Sequence, residues 1–99
     1  MLSLILPYPP SVNTYWGFRG SSRFLTKTAN NFKLEVVVAS RRARFGADKV
    51  SIEILLHAPD RRRRDIDNVL KPLLDALHAA GVFDDDSQVD QLMVSRGAV

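Results

Sequence analysis

The chain has 99 residues, of which 45% are apolar and none is cysteine. This length allows one small hydrophobic core, and the missing cysteines exclude a disulfide framework and a thiolate zinc site, as is typical of a cytoplasmic protein. Fourteen basic residues against 11 acidic ones give a net charge of +3, and no apolar run is long enough to span a membrane. The acids crowd between Asp60 and Asp90, so the basic first half favours a polyanionic partner over charge that serves only solubility.

The first quarter of the chain predicts a strand and then a loop. Residues 2–6 are an apolar run typical of a strand, which prolines at 7, 9 and 10 would end because proline cannot donate to a ladder. The basic loop that follows carries three aromatic and two cationic side chains: Tyr15, Trp16, Phe18, Arg19 and Arg23. These rings either stack on unpaired bases beside the arginines or, as is commoner, pack beneath the loop.

A helix is predicted over residues 28–44. Thr26 or Thr28 can cap it, and an apolar face recurs at helical spacing. That face comprises Phe32, Val36, Ala39 and Ala43. Three consecutive valines at 36–38 keep a strand open as the alternative, since β-branched residues lower helix propensity. The arginines at 41, 42 and 44 suit either the negative end of the helix dipole or DNA.

Two strands are predicted in the second half. Residues 49–58 alternate between apolar and polar positions, and the apolar face consists of Val50, Ile52, Ile54 and Leu56. His57 at the end of this strand favours a structural or phosphate-facing role over that of a catalytic base. Residues 88–95 form the last predicted strand.

The segment between these strands carries most of the chemistry. Asp65 and Asp67, if extended, project on the same side roughly 6.6 Å apart, and such paired carboxylates repel one another unless a cation lies between them. The arginines at 61–64 could supply that charge, but paired aspartates are also preferred ligands of magnesium. Taken alone, four arginines usually form only a solvated surface, so this spacing permits a metal without requiring one.

A helix with one apolar face is predicted from Val69 to Ala80. Asp67 or Asn68 can cap it and Gly81 ends it, whereas Pro72 requires a late start or a loosened first turn. His78 is interpreted as an ordinary helical residue. Beyond the helix, residues 84–86 are all aspartate, which by itself predicts only an acidic turn. They can approach Asp65 only if the strand after Ser87 pairs beside the strand before Pro59.

The combined motifs resemble the RusA family of Holliday junction resolvases. The resemblance lies in DRRRRDIDN at 60–68, a lysine three positions later, DAL at 75–77, GVFDDDSQV at 81–89 and the opening PYPPSVN at 7–13. It implies an α+β domain spanning residues 1–99, with a small mixed sheet packed against two main helices. It also implies metal-binding catalytic carboxylates at Asp65, Asp67 and Asp86 and a catalytic lysine at Lys71, with Asp85 as a companion acid.

The resemblance implies a magnesium-dependent endonuclease that cuts four-way DNA junctions, with phosphate contacts that we expect from Arg61, Arg62, Arg63 and Arg64 and from Arg19 and Arg23. Paired cuts in a two-fold junction predict a homodimer. Family members continue through a further C-terminal strand, so a sheet that lacks one edge is expected of a sequence ending at Val99. Residues 15–24 do not match closely. The alternatives are a non-catalytic module that binds branched DNA and a fragment whose edge strand a partner supplies.

Overall fold

The computed structural model describes residues 2–41 and 43–99 of the chain. The helices are α1 (Val12–Tyr15), α2 (Lys27–Ser40) and α3 (Leu70–Ala79), and the strands are β1 (Trp16–Arg19), β2 (Ser22–Leu25), β3 (Val50–Leu56) and β4 (Val89–Arg96). Short 3-10 turns cover Ile66–Val69 and Asp86–Gln88. The predicted α+β class is confirmed. None of the helices in the described ranges is long and apolar enough to cross a membrane.

The strands are divided between two sheets instead of forming the single mixed sheet that was expected. β1 and β2 form an antiparallel hairpin, while β3 and β4 pair in parallel with Ile52 opposite Leu92. The hairpin occupies the segment predicted to be a loop. Its tip contains Gly20 at φ +62°, a left-handed conformation that glycine adopts without steric cost.

The prediction of a strand over residues 2–6 is wrong. No regular structure is present there, and Ile5 is 95% exposed. A strand needs a hydrogen-bonded neighbour, and neither sheet in the described part of the chain pairs with this segment. Leu6 alone of the run packs against the core.

Helix α2 confirms the predicted helix and excludes the alternative strand at the valines, but it ends at Ser40. Thr26 caps its start by accepting a hydrogen bond from the amide of Ala29 at 3.2 Å. At the other end, the Ser40 hydroxyl donates to the carbonyl of Val36 and Arg44 donates to the carbonyl of Ser40. These side chains provide hydrogen-bond donors to two carbonyls at the end of the helix.

One of the four residues predicted for the buried face of α2 is exposed. Phe32 and Val36 are buried as expected, but Ala39 is exposed and Ser40 is buried in its place. Ala43 is buried beyond the helix end. Of the three arginines near this end, Arg42 lies outside the described residues.

The predicted strand at 49–58 is confirmed as β3. The four residues of its predicted apolar face are wholly or partly buried, whereas Ser51, Glu53 and Leu55 on the other face are exposed. The buried face of the sheet packs against a core drawn mainly from the three helices and the turn after α3. The largest members of that core are Tyr15, Phe32, Leu73, Leu77 and Phe83.

Helix α3 starts late, as Pro72 requires. The 3-10 turn precedes it, and Pro72 falls in the first helical turn, where its missing amide proton breaks no helical hydrogen bond. The N-cap residue is Val69 and makes no side-chain cap, so the expected capping by Asp67 or Asn68 is wrong. Gly81 ends the helix as predicted, with φ +82°.

Candidate active site

The parallel pairing of β3 and β4 controls where the two acidic groups lie. Asp65 follows the carboxyl end of β3, and Asp86 precedes the amino end of β4. The predicted pairing of these strands is present, but the carboxyl end of one parallel strand lies away from the amino end of the other. Helix α3 runs between the two ends and provides the connection.

Asp86 lies beside α3 and contacts two of its side chains. Oδ2 of Asp86 is 3.6 Å from Nζ of Lys71, and Oδ1 is 3.8 Å from Nδ1 of His78. Oδ1 is buried yet accepts no hydrogen bond from any described residue, so it retains its lone pairs. The Lys71 side chain is 61% exposed and can therefore reach an external anion. Asp86 and Lys71, predicted as site residues from different elements, are thus brought together.

The neighbouring acid Asp85 has a structural role. Its carboxylate accepts from the amide and the hydroxyl of Ser87, while its own amide donates to Oε1 of Gln88 at 2.7 Å, which completes a capping box. The Ser87 hydrogen bonds lower the pKa of the Asp85 carboxyl. Gln88 also donates to the carbonyls of Gly46 and Asp48. The hydrogen bonds of Asp85 and Gln88 therefore fix the conformation of this turn. In that conformation Asp86 is the acid that lies beside Lys71.

Asp65 and Asp67 are exposed on the approach to α3. Asp65 is the N-cap residue of the 3-10 turn but makes no side-chain cap there, and within residues 2–41 and 43–99 neither carboxylate has a hydrogen bond or an ion pair. Asp65 lines a cleft of about 230 Å³ together with Tyr8, Ser11 and Asn68. Both carboxylates are therefore available to a cation.

The donor set can be compared with the needs of a metal ion. Magnesium prefers carboxylate oxygens and retains several waters, and the free oxygens of Asp65 and Asp67 and the orphaned Oδ1 of Asp86 have the right chemistry. However, no three His, Cys, Asp or Glu side chains of the described chain come together as one ligand set. The residues thus suit a hydrated magnesium ion chemically, and the joint use of all three acids stays a prediction.

The arginine run divides into bound and free side chains. Arg64 donates to Oδ1 of Asp60 at 2.7 Å, and its guanidinium carbon lies 5.8 Å from the centre of the Tyr8 ring. This pairing lowers the pKa of Asp60 to about 2 and raises that of Arg64. Arg61 and Arg63 are exposed and make no ion pair with the described acids. The run borders a cleft of about 630 Å³ that also includes Asp65.

The two hairpin arginines are held against aromatic rings. The guanidinium carbon of Arg23 lies 4.7 Å from the Trp16 ring centre, and that of Arg19 lies 5.6 Å from the Phe24 ring centre. Both arginines are exposed, so their guanidinium groups can still bind a phosphate group. The competing interpretation of the aromatic residues, packing beneath the loop, applies to Tyr15, which is fully buried, and to Trp16, which is partly buried against the core.

Tyr15 links this region to α3. Its hydroxyl donates to Oδ2 of Asp75 at 2.6 Å, and Lys33 lies 3.3 Å from the same oxygen. Burial, followed by the hydrogen bond to Asp75, raises the pKa of the Tyr15 phenol. Asp75 follows Lys71 by one helical turn, so this contact fixes the helix that carries Lys71.

The two histidines have different surroundings. Nδ1 of His57 is 2.8 Å from the carbonyl of Ala98, and a side chain at Gly97 would collide with its ring. Of the two roles expected for His57, structural or phosphate-facing, these contacts favour the structural one. His78, interpreted from sequence as ordinary, instead lies beside Asp86 and stacks on Phe83. Its spacing of seven from Lys71, which places both on one helix face, was the signal available in the sequence.

The matches to known proteins cover nearly the whole chain. The family model described as Endodeoxyribonuclease RusA matches residues 7–98. A crossover junction endodeoxyribonuclease rusA from Enterobacteria phage HK97 is 42% identical over 96 residues, which are 94% of this chain and 80% of that protein. Proteins with this description from Shigella sonnei and Escherichia coli K12 are each 38% identical over 90 residues, 88% of this chain and 75% of theirs. The chain therefore belongs to the RusA family of endodeoxyribonucleases.

Proposed function

We propose that the chain is a structure-selective endodeoxyribonuclease that resolves four-way DNA junctions by paired symmetric nicks in recombination and repair. The observation that carries this proposal is the family match over residues 7–98, which includes every predicted site acid and Lys71. The relatives are described as crossover junction endodeoxyribonucleases. The contact between Lys71 and Asp86 supports it, because it brings an ammonium group and an acid of this motif together.

Lys71 would act on the phosphate that is cut. Phosphodiester hydrolysis builds negative charge on the phosphoryl oxygens, and a positioned ammonium group stabilises that charge. The Lys71 side chain is mostly exposed, and the nearby Asp86 carboxylate orients its ammonium group. Its role is therefore to donate hydrogen bonds to a phosphate oxygen during cleavage.

We propose Asp65, Asp67 and Asp86 as the residues that hold magnesium. Their oxygen-only donor chemistry supports this assignment, as does the orphaned Oδ1 of Asp86. When bound, magnesium supplies Lewis-acid polarisation of the scissile phosphate. The carboxylates also bring negative charge close to the DNA phosphates. The adjoining arginines offset the repulsion between these two sets of charges.

The arginines would place the DNA without selecting its sequence. The proposed phosphate contacts come from the run that borders the larger cleft and from the two hairpin arginines: Arg61, Arg62, Arg63, Arg64, Arg19 and Arg23. Phosphate contacts fix the orientation of a protein on DNA but carry no direct sequence information. A branched substrate presents several phosphate backbones to such a surface.

A homodimer would match the symmetry of the substrate. Two identical sites related by a two-fold axis can each cut one strand of a four-way junction. The outer face of β3 and β4 supports self-association, because Leu55 and Met93 are exposed on it. We also propose cytoplasmic action, since the relatives come from bacteria and their phages, whose DNA lies there.

A non-catalytic module that binds branched DNA is the second candidate. The observation that favours it is that the described acids do not gather into a set of three around one point. Such a module would keep the arginine contacts and lose strand cleavage.

A nicking assay on a synthetic four-way junction, with and without magnesium, separates the two functions. The enzyme proposal predicts magnesium-dependent nicking that Asp67→Asn abolishes while junction binding survives. Asp84→Asn is the matched control, because Asp84 is an exposed acid of the same motif without an assigned role. Junction binding with no nicking by the natural chain would favour the binding module, and nicking by the Asp67 variant would remove Asp67 from the mechanism.

A further inference from the structure

We infer that Phe18 stacks on a nucleobase at the branch point of the junction. The ring lies on β1 of the hairpin and is 72% exposed. This inference rests on the proposed function and adds a contact that would distinguish a branch point from continuous duplex. It assigns the hairpin a role in recognising DNA structure, which phosphate contacts alone do not provide.

The register of the hairpin determines which side chains share a face. Phe18 lies directly opposite Arg23, and Trp16 lies opposite Leu25, so these four side chains project from one face. Arg23 faces Phe18 across the strands but extends its guanidinium diagonally over Trp16 instead. The Phe18 ring, which lies nearest the hairpin tip on this face, therefore has no guanidinium group over it.

The opposite face is filled differently. The Phe24 ring lies over Gly17, so closely that a Cβ there would be 2.5 Å from the ring. Arg19 covers the same ring. Trp16 and Phe24 are thus both engaged by an arginine, whereas none of the aromatic or cation–π contacts in the described chain involves Phe18. Phe18 is the hairpin aromatic residue with a ring available to a ligand.

The base of the hairpin is attached to the helices that carry the site. The amide of Thr26 donates to the carbonyl of Tyr15 at 3.1 Å, and its hydroxyl donates to the carbonyl of Thr14 at 2.7 Å. Tyr15 in turn holds Asp75 of α3. A two-stranded hairpin alone is only marginally stable in water, so this attachment gives Phe18 a defined position relative to Lys71.

The chemistry of the hairpin fits a base flanked by phosphates. Arg19 and Arg23 place positive charge on both faces beside Phe18, which attracts a nucleic-acid backbone. Base faces inside a duplex are covered by their neighbours, but stacking is interrupted where four arms meet. An aromatic side chain can stack on a face exposed there regardless of base identity.

The test compares junction and duplex binding by Phe18→Ala and Phe18→Tyr in EDTA, so that cleavage does not intervene. One DNA is a four-way junction with 2-aminopurine at the branch point, and the other is a linear duplex of one arm sequence. We expect Phe18→Ala to weaken junction binding about 5- to 150-fold, the range given by loss of one stacked base. Duplex binding should remain unchanged, and the 2-aminopurine fluorescence response should disappear. Phe18→Tyr keeps the ring and should restore both properties.

Ser22→Ala is the matched control, because Ser22 is an exposed residue of the same hairpin. Equal weakening of junction and duplex binding by Phe18→Ala, or none, would overturn the inference while the proposed function stands. Sedimentation showing that Phe18→Ala separates subunits, without a junction-specific loss, would instead make Phe18 a contact between copies. If the natural chain shows no preference for the junction, the proposed function fails, and the branch-point contact fails with it.

Discussion

Lys71 at the start of α3 and Asp86 before β4 form an ion pair with Nζ and Oδ2 3.6 Å apart. Both side chains are partly exposed, so this pair adds at most about 1 kcal/mol to stability. The ion pair instead determines where the acidic turn lies, because it joins that turn to the helix that follows Asp65 and Asp67. The pair thus connects the two halves of the candidate site across α3.

Replacement of Lys71 by alanine should reduce cleavage far more than stability. Loss of one donor aimed at developing charge typically lowers kcat about 100- to 1000-fold, whereas an exposed ion pair contributes little to folding. Single-turnover cleavage of a four-way junction and thermal unfolding measure the two effects. Lys49→Ala, at an exposed lysine before β3, should change neither. Cleavage within a few-fold of the natural rate would exclude a catalytic role for Lys71.

Junction binding should weaken steeply with salt. If about six phosphates are neutralised, affinity should fall on the order of 1000-fold between about 50 and 200 mM salt because condensed counterions are no longer released as favourably. Arg61→Ala and Arg63→Ala should each reduce the slope of log affinity against log salt by about one. Fluorescence anisotropy over this range provides the measurement. Lys27→Ala serves as the control, and a slope that the arginine variants leave unchanged would contradict phosphate contacts at these positions.

Tyr15→Phe should destabilise the fold. The variant removes the buried hydroxyl that donates to Asp75 at 2.6 Å, and loss of a hydrogen bond to a charged group costs about 2 kcal/mol. Urea unfolding should show a lower midpoint with an unchanged slope. Tyr8→Phe is the matched control, because the Tyr8 hydroxyl makes no hydrogen bond within the described chain. Equal midpoints for the Tyr15 variant and the natural chain would show that this link does not support α3.

Asp60→Asn should destabilise the chain in a pH-dependent manner. Arg64 lowers the folded-state pKa of Asp60 from 3.8 to about 2, so the stabilisation is fully present above pH 3.8 and is lost as pH falls through 2. The difference in unfolding midpoint between the natural chain and the variant should therefore be constant from about pH 7 to 5 and shrink below pH 4. Denaturant titrations at several pH values test this. A difference that persists unchanged at pH 2 would mean that Asp60 acts without its charge.

Local features of the site followed from the sequence because neighbouring residues determine them. The apolar alternation of β3 and the stop at Gly81 depend on backbone periodicity and on a left-handed glycine, which short windows of sequence reveal. The late start of α3 followed from Pro72 in the same way. The combined motifs at residues 7–13, 60–68 and 81–89 similarly indicated the family, because they consist of short stretches of neighbouring residues.

Tertiary structure decided what depends on distant partners. Residues 2–6 are apolar enough for a strand but have no strand beside them, while residues 16–25 form a hairpin because their backbone groups pair across Gly20. From the sequence, an approach of Asp86 to Asp65 depended on β4 lying beside β3. Only the fold established the parallel direction, in which the carboxyl end of β3 lies away from the amino end of β4. Strand direction and side-chain reach depend on packing between segments far apart in the chain, so Lys71 and His78 could be placed beside Asp86 only by the folded structure.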